Sequence, residues 1–280
     1  RAVQYAVFWG LVHRKLTAIK TIGVDEIQWR RGHQYLTLVY QIDAGMKRLL
    51  SVAQERTAAS QSGFFDLLGK RQSSRVKFTC SDMWKPYLDV LRERAKQAVV
   101  ILDRFHVMAK FNKALDEVRA AEARRLKQDD DENLKHSRWC LLKRPENLTD
   151  RQAVKLSELL RTNLKTIRAY LMREDFQRFW EYRSPVWAKK FLEEWCQRAM
   201  RSRIEPMKKM ARTLRKHSEL LLNWFRAEGA ISSGTVEGFN NKAKLTMRKA
   251  YGFRTPDAIK IALFHNLGDL PEPKLTHRFC

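Results

Sequence analysis

The chain has 280 residues, 44% of them apolar, with 14 Phe and 8 Trp. That is enough to bury a large core, as one domain plus an insertion or as two lobes, and it excludes a disordered chain. Fifty-five Lys and Arg against 31 Asp and Glu give a net charge of +24, well beyond what solubility requires, so a polyanion is the natural partner and nucleic acid the leading one. No run of 18 uncharged apolar residues occurs, and Cys80, Cys140, Cys196 and Cys280 stand far apart with no CxxC pair, which argues against a membrane helix, a disulfide framework and a zinc knuckle.

Residues 1–19 read as a helix leading from a region upstream, too interrupted by charge for a signal peptide. From Thr21 to Arg56 the period is that of strands. "TIGVDEIQW" and "YLTLVYQID" are rich in β-branched and aromatic residues, "RLLSVAQER" follows, and the separators "RRGHQ" and "AGMK" carry Gly at turn positions, which predicts a three-stranded meander. "SQSGFFDLLGK" predicts a short helix with a Ser cap. "VKFTCSD" and "AVVILD" are short apolar runs, each closed by an aspartate and joined by the helical "MWKPYLDVLRERAKQ". Such a βαβ unit has parallel strands whose polar ends share one sheet edge. The predicted order is β-β-β-α-β-α-β, a mixed five-stranded α/β sheet flanked by helices. An all-helical insertion follows, expected over 129–230 between core segments 20–128 and 231–268, with a tail at 269–280.

Functional groups in open α/β sheets gather at the carboxyl ends of the parallel strands. Asp25, Asp82 and Asp103 all lie at such ends, where Asp also serves as a turn or cap residue. Glu26 points to the face opposite Asp25. The stretch "SSGTVEGFNNKAKLTMRKAYGF" predicts a final helix from about Ser233 to Lys249. On it Glu237, Asn240, Asn241, Lys244 and Arg248 share a polar stripe, opposite Val236, Phe239, Ala243, Met247 and Ala250. A solvated face has the same pattern. Clustered carboxylates repel unless a cation neutralises them, and oxygen-only ligands favour Mg²⁺ or Mn²⁺, two ions about 3.5–4 Å apart clamping a phosphodiester.

The segments "GVDEI", "SDMWKPY", "DRFHVMAKFNKALDEVR" and "VEGFNNKAKLTMRKAYGFR" resemble bacterial insertion-sequence transposases of the ISL-three family, in the DDE superfamily. The likeness covers essentially the whole chain. It implies an RNase H-like core and a cut-and-paste recombinase that uses Mg²⁺ to cleave and rejoin DNA. It also implies a helical insertion before the catalytic glutamate, and an upstream region that reads the element's terminal repeats. A cytoplasmic, nucleoid-associated protein, at least dimeric on DNA, is the corresponding expectation. By motif, Asp25 is the first acid and Glu237 the last, both metal ligands. Fold order favours Asp82 as the second, with Asp103 and the nearby His106 as the alternative or as supporting groups.

Lys208, Lys209, Arg212 and Arg215 in "MKKMARTLRKH", together with Asn240, Asn241, Lys244 and Arg248, are candidate DNA contacts, although charge runs are also solvated helix faces. Trp139, Trp180, Trp187, Trp195 and Trp224 are core residues or stacking platforms. A structure-specific nuclease on the same core, or a DNA-binding protein derived from a transposase, are the competing functional expectations. If the positive charge serves phosphate contact, affinity for DNA should fall steeply from about 50 to 200 mM salt through counterion release. A flat titration would remove the inference from composition.

Overall fold

The computed structural model describes residues 1–227 and 234–274. Ser232, Ser233, Cys280 and the expected boundary at 230–231 lie outside the described residues. The chain divides into two compact units, residues 1–105 with 227–280, and residues 106–226.

The first unit opens with helix α1 (Ala2–His13). Strands β1 (Thr21–Arg30), β2 (Gln34–Asp43) and β3 (Met46–Gln54) form the meander that their β-branched runs predict. Helix α2 (Ala58–Leu68) is capped one turn earlier than expected, by Thr57, whose hydroxyl accepts from Ser60 N. After the short α3 (Lys70–Ser73) come β4 (Phe78–Ser81), α4 (Lys85–Arg94) and β5 (Val99–Leu102). The sheet order is β3-β2-β1-β4-β5. β1 is antiparallel to β2 and parallel to β4, and β4 is parallel to β5. This is an α/β, RNase H-like sheet with a helical insertion.

The second unit holds α5 (Arg104–Gln128), which begins in the first, then α6 (Arg138–Leu142), α7 (Asp150–Leu160), α8 (Lys165–Gln177), α9 (Pro185–Arg201), α10 (Glu205–Lys216) and α11 (Ser218–Arg226). The compact unit starts at His106, earlier than the expected 129, because α5 already packs with it. Phe111 lies 4.6 Å from Phe176 and 5.3 Å from Trp195 between ring centroids. The buried Glu122 of α5 accepts Lys165 N, Thr166 N and the Thr166 hydroxyl at the start of α8. A buried carboxylate is tolerable there because the open N–H groups of the helix end satisfy it.

The chain returns to the first unit with α12 (Thr235–Lys249) and α13 (Pro256–Leu267). Val236, Phe239 and Ala243 press α12 against β1 and β2. The approach is close because β1 has a glycine beneath it: a Cβ on Gly23 would lie 2.5 Å from Val236 Cγ2. Gly23→Ala should therefore destabilise the protein by about 1–3 kcal/mol through overpacking. Adding Val236→Ala should restore part of that loss in urea unfolding. Unchanged stability in Gly23→Ala would mean that the contact is not tight.

Candidate active site at the carboxyl edge of the sheet

Strand register brings the three aspartates into one row. Gly23 pairs with Cys80 and Cys80 with Ile101, so two residues further along lie Asp25, Asp82 and Asp103. All three are buried. Their side chains nevertheless divide between two environments.

Asp25 belongs with α12. Gly23 faces Val236, and alternation puts Asp25 on that same face, where its Oδ2 accepts a hydrogen bond from Asn240 Nδ2. Its Oδ1 accepts from Glu26 N at 2.8 Å. Asn240 in turn accepts from the Tyr40 hydroxyl at 2.9 Å, and the Tyr40 ring stacks on Phe239 with centroids 4.8 Å apart. Burial and then the Asp25 charge hold the Tyr40 phenol well above its usual range, so it remains a donor. Glu237 is half-buried on the same helix, between the Val236 contact with Gly23 and the Asn240 contact with Asp25.

Asp82 belongs with the opposite face. Its Oδ1 accepts Trp84 N at 2.9 Å and its Oδ2 accepts Arg56 Nη2 at 2.7 Å. Arg56 Nε also lies 3.1 Å from Glu26 Oε1, as an ion pair without hydrogen-bond alignment. The guanidinium lies 4.7 Å from the centre of the Trp84 ring. Close by, Tyr87 and Thr37 are linked by hydroxyls 2.7 Å apart.

Asp103 continues the ladder through its N–H to Ser81 O at 2.9 Å, and its Oδ1 accepts Phe105 N at 2.9 Å, capping the start of α5. Electrostatics sorts the acids in the same way. Burial pushes the Cys80 thiol well up, and the charges that push it further are those of Asp103 and Asp25. Burial also raises the Tyr87 phenol. Its bond with Thr37 opposes that rise, Glu26 and Asp82 add to it, and Arg56 lowers it. Asp25 and Asp103 thus share the field around Cys80, while Asp82 shares an environment with Glu26 and Arg56.

His106 is half-buried in the first turn of α5, three residues after Asp103. Asn240 corrects the expected polar stripe: it is buried among the contacts of α12 with the sheet and has no DNA-facing surface. Asn241, Lys244 and Arg248 are exposed, as are Lys209, Arg212 and Arg215, whereas Lys208 is half-buried. Arg212 and Lys208 pair with Glu205 at 2.9 and 3.9 Å. Trp180 and Trp195 are core residues, Trp224 is half-buried, and Trp139 and Trp187 are exposed. Arg56 and Tyr40 went unrecognised as site residues in the sequence. A tyrosine inside the apolar run "LTLVYQI" was the available signal for a buried hydroxyl needing a partner.

Oxygen donors without a His or Cys set suit a hard divalent cation. In this geometry no three His, Cys, Asp or Glu side chains among the described residues are gathered closely enough to hold one. No described helix is long and apolar enough to cross a membrane.

The family of DDE transposases of the ISL3 type, described simply as "Transposase", matches residues 22–263, so the chain belongs to this family. It is 32% identical over 239 residues to the transposase for insertion sequence element IS1001 of Bordetella parapertussis, covering 84% of this chain and 58% of that protein. It is 31% identical over 277 residues to the transposase for IS1557 of Mycobacterium tuberculosis, covering 90% of this chain and 61% of that protein. The chain thus spans about three-fifths of the length of these curated relatives.

Asn240→Leu should leave the Tyr40 hydroxyl and the Asp25 carboxylate buried without their shared partner, at a cost of about 2–4 kcal/mol. Tyr40→Phe in that background should recover part of the loss in thermal unfolding, because the ring then needs no acceptor. A neutral Asn240→Leu would show that the amide carries no structural weight.

Proposed function

We propose that this chain is the catalytic part of an insertion-sequence transposase that cleaves DNA and joins the freed 3′-hydroxyl to a target strand by in-line displacement at phosphorus. The observation carrying this reading is the tie between Asp25 and Asn240, which fixes α12, and with it Glu237, against the strand that bears the first acid. Asp25, Asp82 and Glu237 are the proposed metal-holding carboxylates, with Asp103 the alternative second acid. Strand order supports Asp82, which follows the strand beside β1, whereas Asp103 follows β5, one strand further out.

Mg²⁺ or Mn²⁺ bound there would supply Lewis-acid activation of the attacking hydroxyl and charge neutralisation at the phosphate. The chain's own residues do the positioning. Asn240 orients Asp25, Tyr40 orients Asn240, and the row of strand ends gives the carboxylates a rigid base. In the displacement the attacking oxygen loses its proton to solvent or a nearby base, the P–O bond forms on one side, and the leaving oxygen departs on the other. Exposed Lys and Arg hold the phosphates. DNA, both element ends and target, is the proposed partner, and assembly as a dimer or larger on DNA is part of the same proposal.

In the intact protein, cleavage of a DNA end should require Mg²⁺ or Mn²⁺ and stop with EDTA. Asp25→Asn, Asp82→Asn and Glu237→Gln should each lose about a hundredfold or more, the order expected when a charge used in the transition state is removed. Asp103→Asn should stay within about tenfold, because an amide still caps α5. A dead Asp103→Asn beside an active Asp82→Asn would instead make Asp103 the second acid. Cleavage without joining would favour a nuclease.

A further inference from the structure

A second concave site lies at the same sheet edge, away from the Asp25–Asn240 contact. It is a groove of about 740 Å³ between the β1–β2 hairpin, the end of β3 and the connection from α12 to α13. Trp29 and Tyr35, both half-buried on strands, form its aromatic wall, and Arg30, Arg56 and Arg254 supply cations. Glu55 is its one acid.

We infer that this groove seats an unpaired nucleotide of a DNA strand, its base against Trp29 or Tyr35 and its flanking phosphates on Arg30 and Arg254. The inference rests on the nucleic-acid reading above and adds a strand-binding site to it. Size is the first reason: the groove falls in the range of about 300–1,000 Å³ typical of small-ligand sites, too small for a duplex. The chemistry of the lining is the second. Aromatic faces beside cations are what bind single strands without regard to sequence, and rings held on strands are preorganised for stacking.

The disposition of charge is the third reason. Among the described residues, Arg30 and Arg254 are exposed and make no ion pair, whereas Arg56 is engaged by Glu26 and Asp82. Arg254 also ends a run in which every charged residue between Glu237 and Asp257 is basic: Lys242, Lys244, Arg248, Lys249 and Arg254. None of these five is in an ion pair among the described residues, although acids elsewhere on the surface pair readily. Unneutralised cations leading from the helix of Glu237 to an aromatic groove make a track for a phosphate backbone.

The test measures binding of this chain to a fluorescent oligothymidylate of about a dozen nucleotides, and to a duplex of the same length, at fixed salt. The Arg30→Ala/Arg254→Ala double variant should lose about tenfold or more in single-strand affinity, and Tyr35→Leu about fivefold or more. Duplex affinity should change less than about threefold in both. Intact cleavage by Asp25→Asn would sink the catalytic reading without touching the groove. Equal losses for duplex and single strand, no loss at all, or equal competition by polyglutamate would overturn the inference. Should Tyr35→Leu fail to fold, photo-crosslinking of bromodeoxyuridine DNA to the unmodified chain decides. Adducts on Trp29 or Tyr35 support the groove, and adducts only elsewhere refute it.

Discussion

A buried side-chain amide has one hydrogen-bonding orientation when a donor lies on one side and a carboxylate on the other. Asn240 is in that position. The Tyr40 phenol, kept protonated by burial, can only donate to it, and Asp25 can only accept from it. The amide is therefore locked, and α12 is locked with it in rotation and in height along β1. Gly23 removes the side chain that would otherwise hold the helix off. The apolar contacts of Val236, Phe239 and Ala243 supply most of the attraction, but they would tolerate a helix turned or slid by a few degrees. The polar pair does not, because misplacing it strands two buried groups.

The row of strand-end acids shows how one register can serve two purposes. Asp82 turns toward Arg56, which also holds Glu26, so a cationic side chain bridges the segment after β3, strand β1 and the β4–α4 junction. Removing either acid would leave a mostly buried charge facing fewer opposite ones, a costly state in a low-dielectric setting. On the other face Asp25 is tied to Asn240 of α12, and the fields of Asp25 and Asp103 meet at Cys80.

Much of this was legible in the sequence. β-branched runs of the right length gave all five strands, the two aspartate-terminated runs gave the parallel pair, and right-handed connection leaves one sensible sheet order for them. The acids at the edge followed from that order. The side to which each acid turns was not legible, because it depends on a partner distant in sequence. Asp82 meets Arg56, 26 residues earlier, and Asp25 meets Asn240, 215 residues later. Helical periodicity misplaced Asn240 for a related reason: it assigns polar residues to the solvent face, whereas a polar residue with a buried partner belongs inside. The start of the helical unit at His106 was hidden by the continuity of α5, whose pattern shows no break at the boundary.

The 215-residue separation between Asp25 and Asn240 has a consequence for the order in which the chain is made and folds. Contacts so distant in sequence form late, because loop closure must precede any gain from them. On the ribosome the separation is also one of time. After β5 emerges, about 120 residues of helical unit are synthesised before α12 appears, a delay of about 6–24 s at ordinary rates of elongation. During that interval the sheet exists without the helix that covers one of its faces, and the apolar side chains of β1 and β2 wait for Val236 and Phe239. The helical unit has its own aromatic core, so it can condense meanwhile. The site that α12 completes is therefore among the last parts of the molecule to form, and a nascent or truncated chain lacking it would carry the first acid without the last.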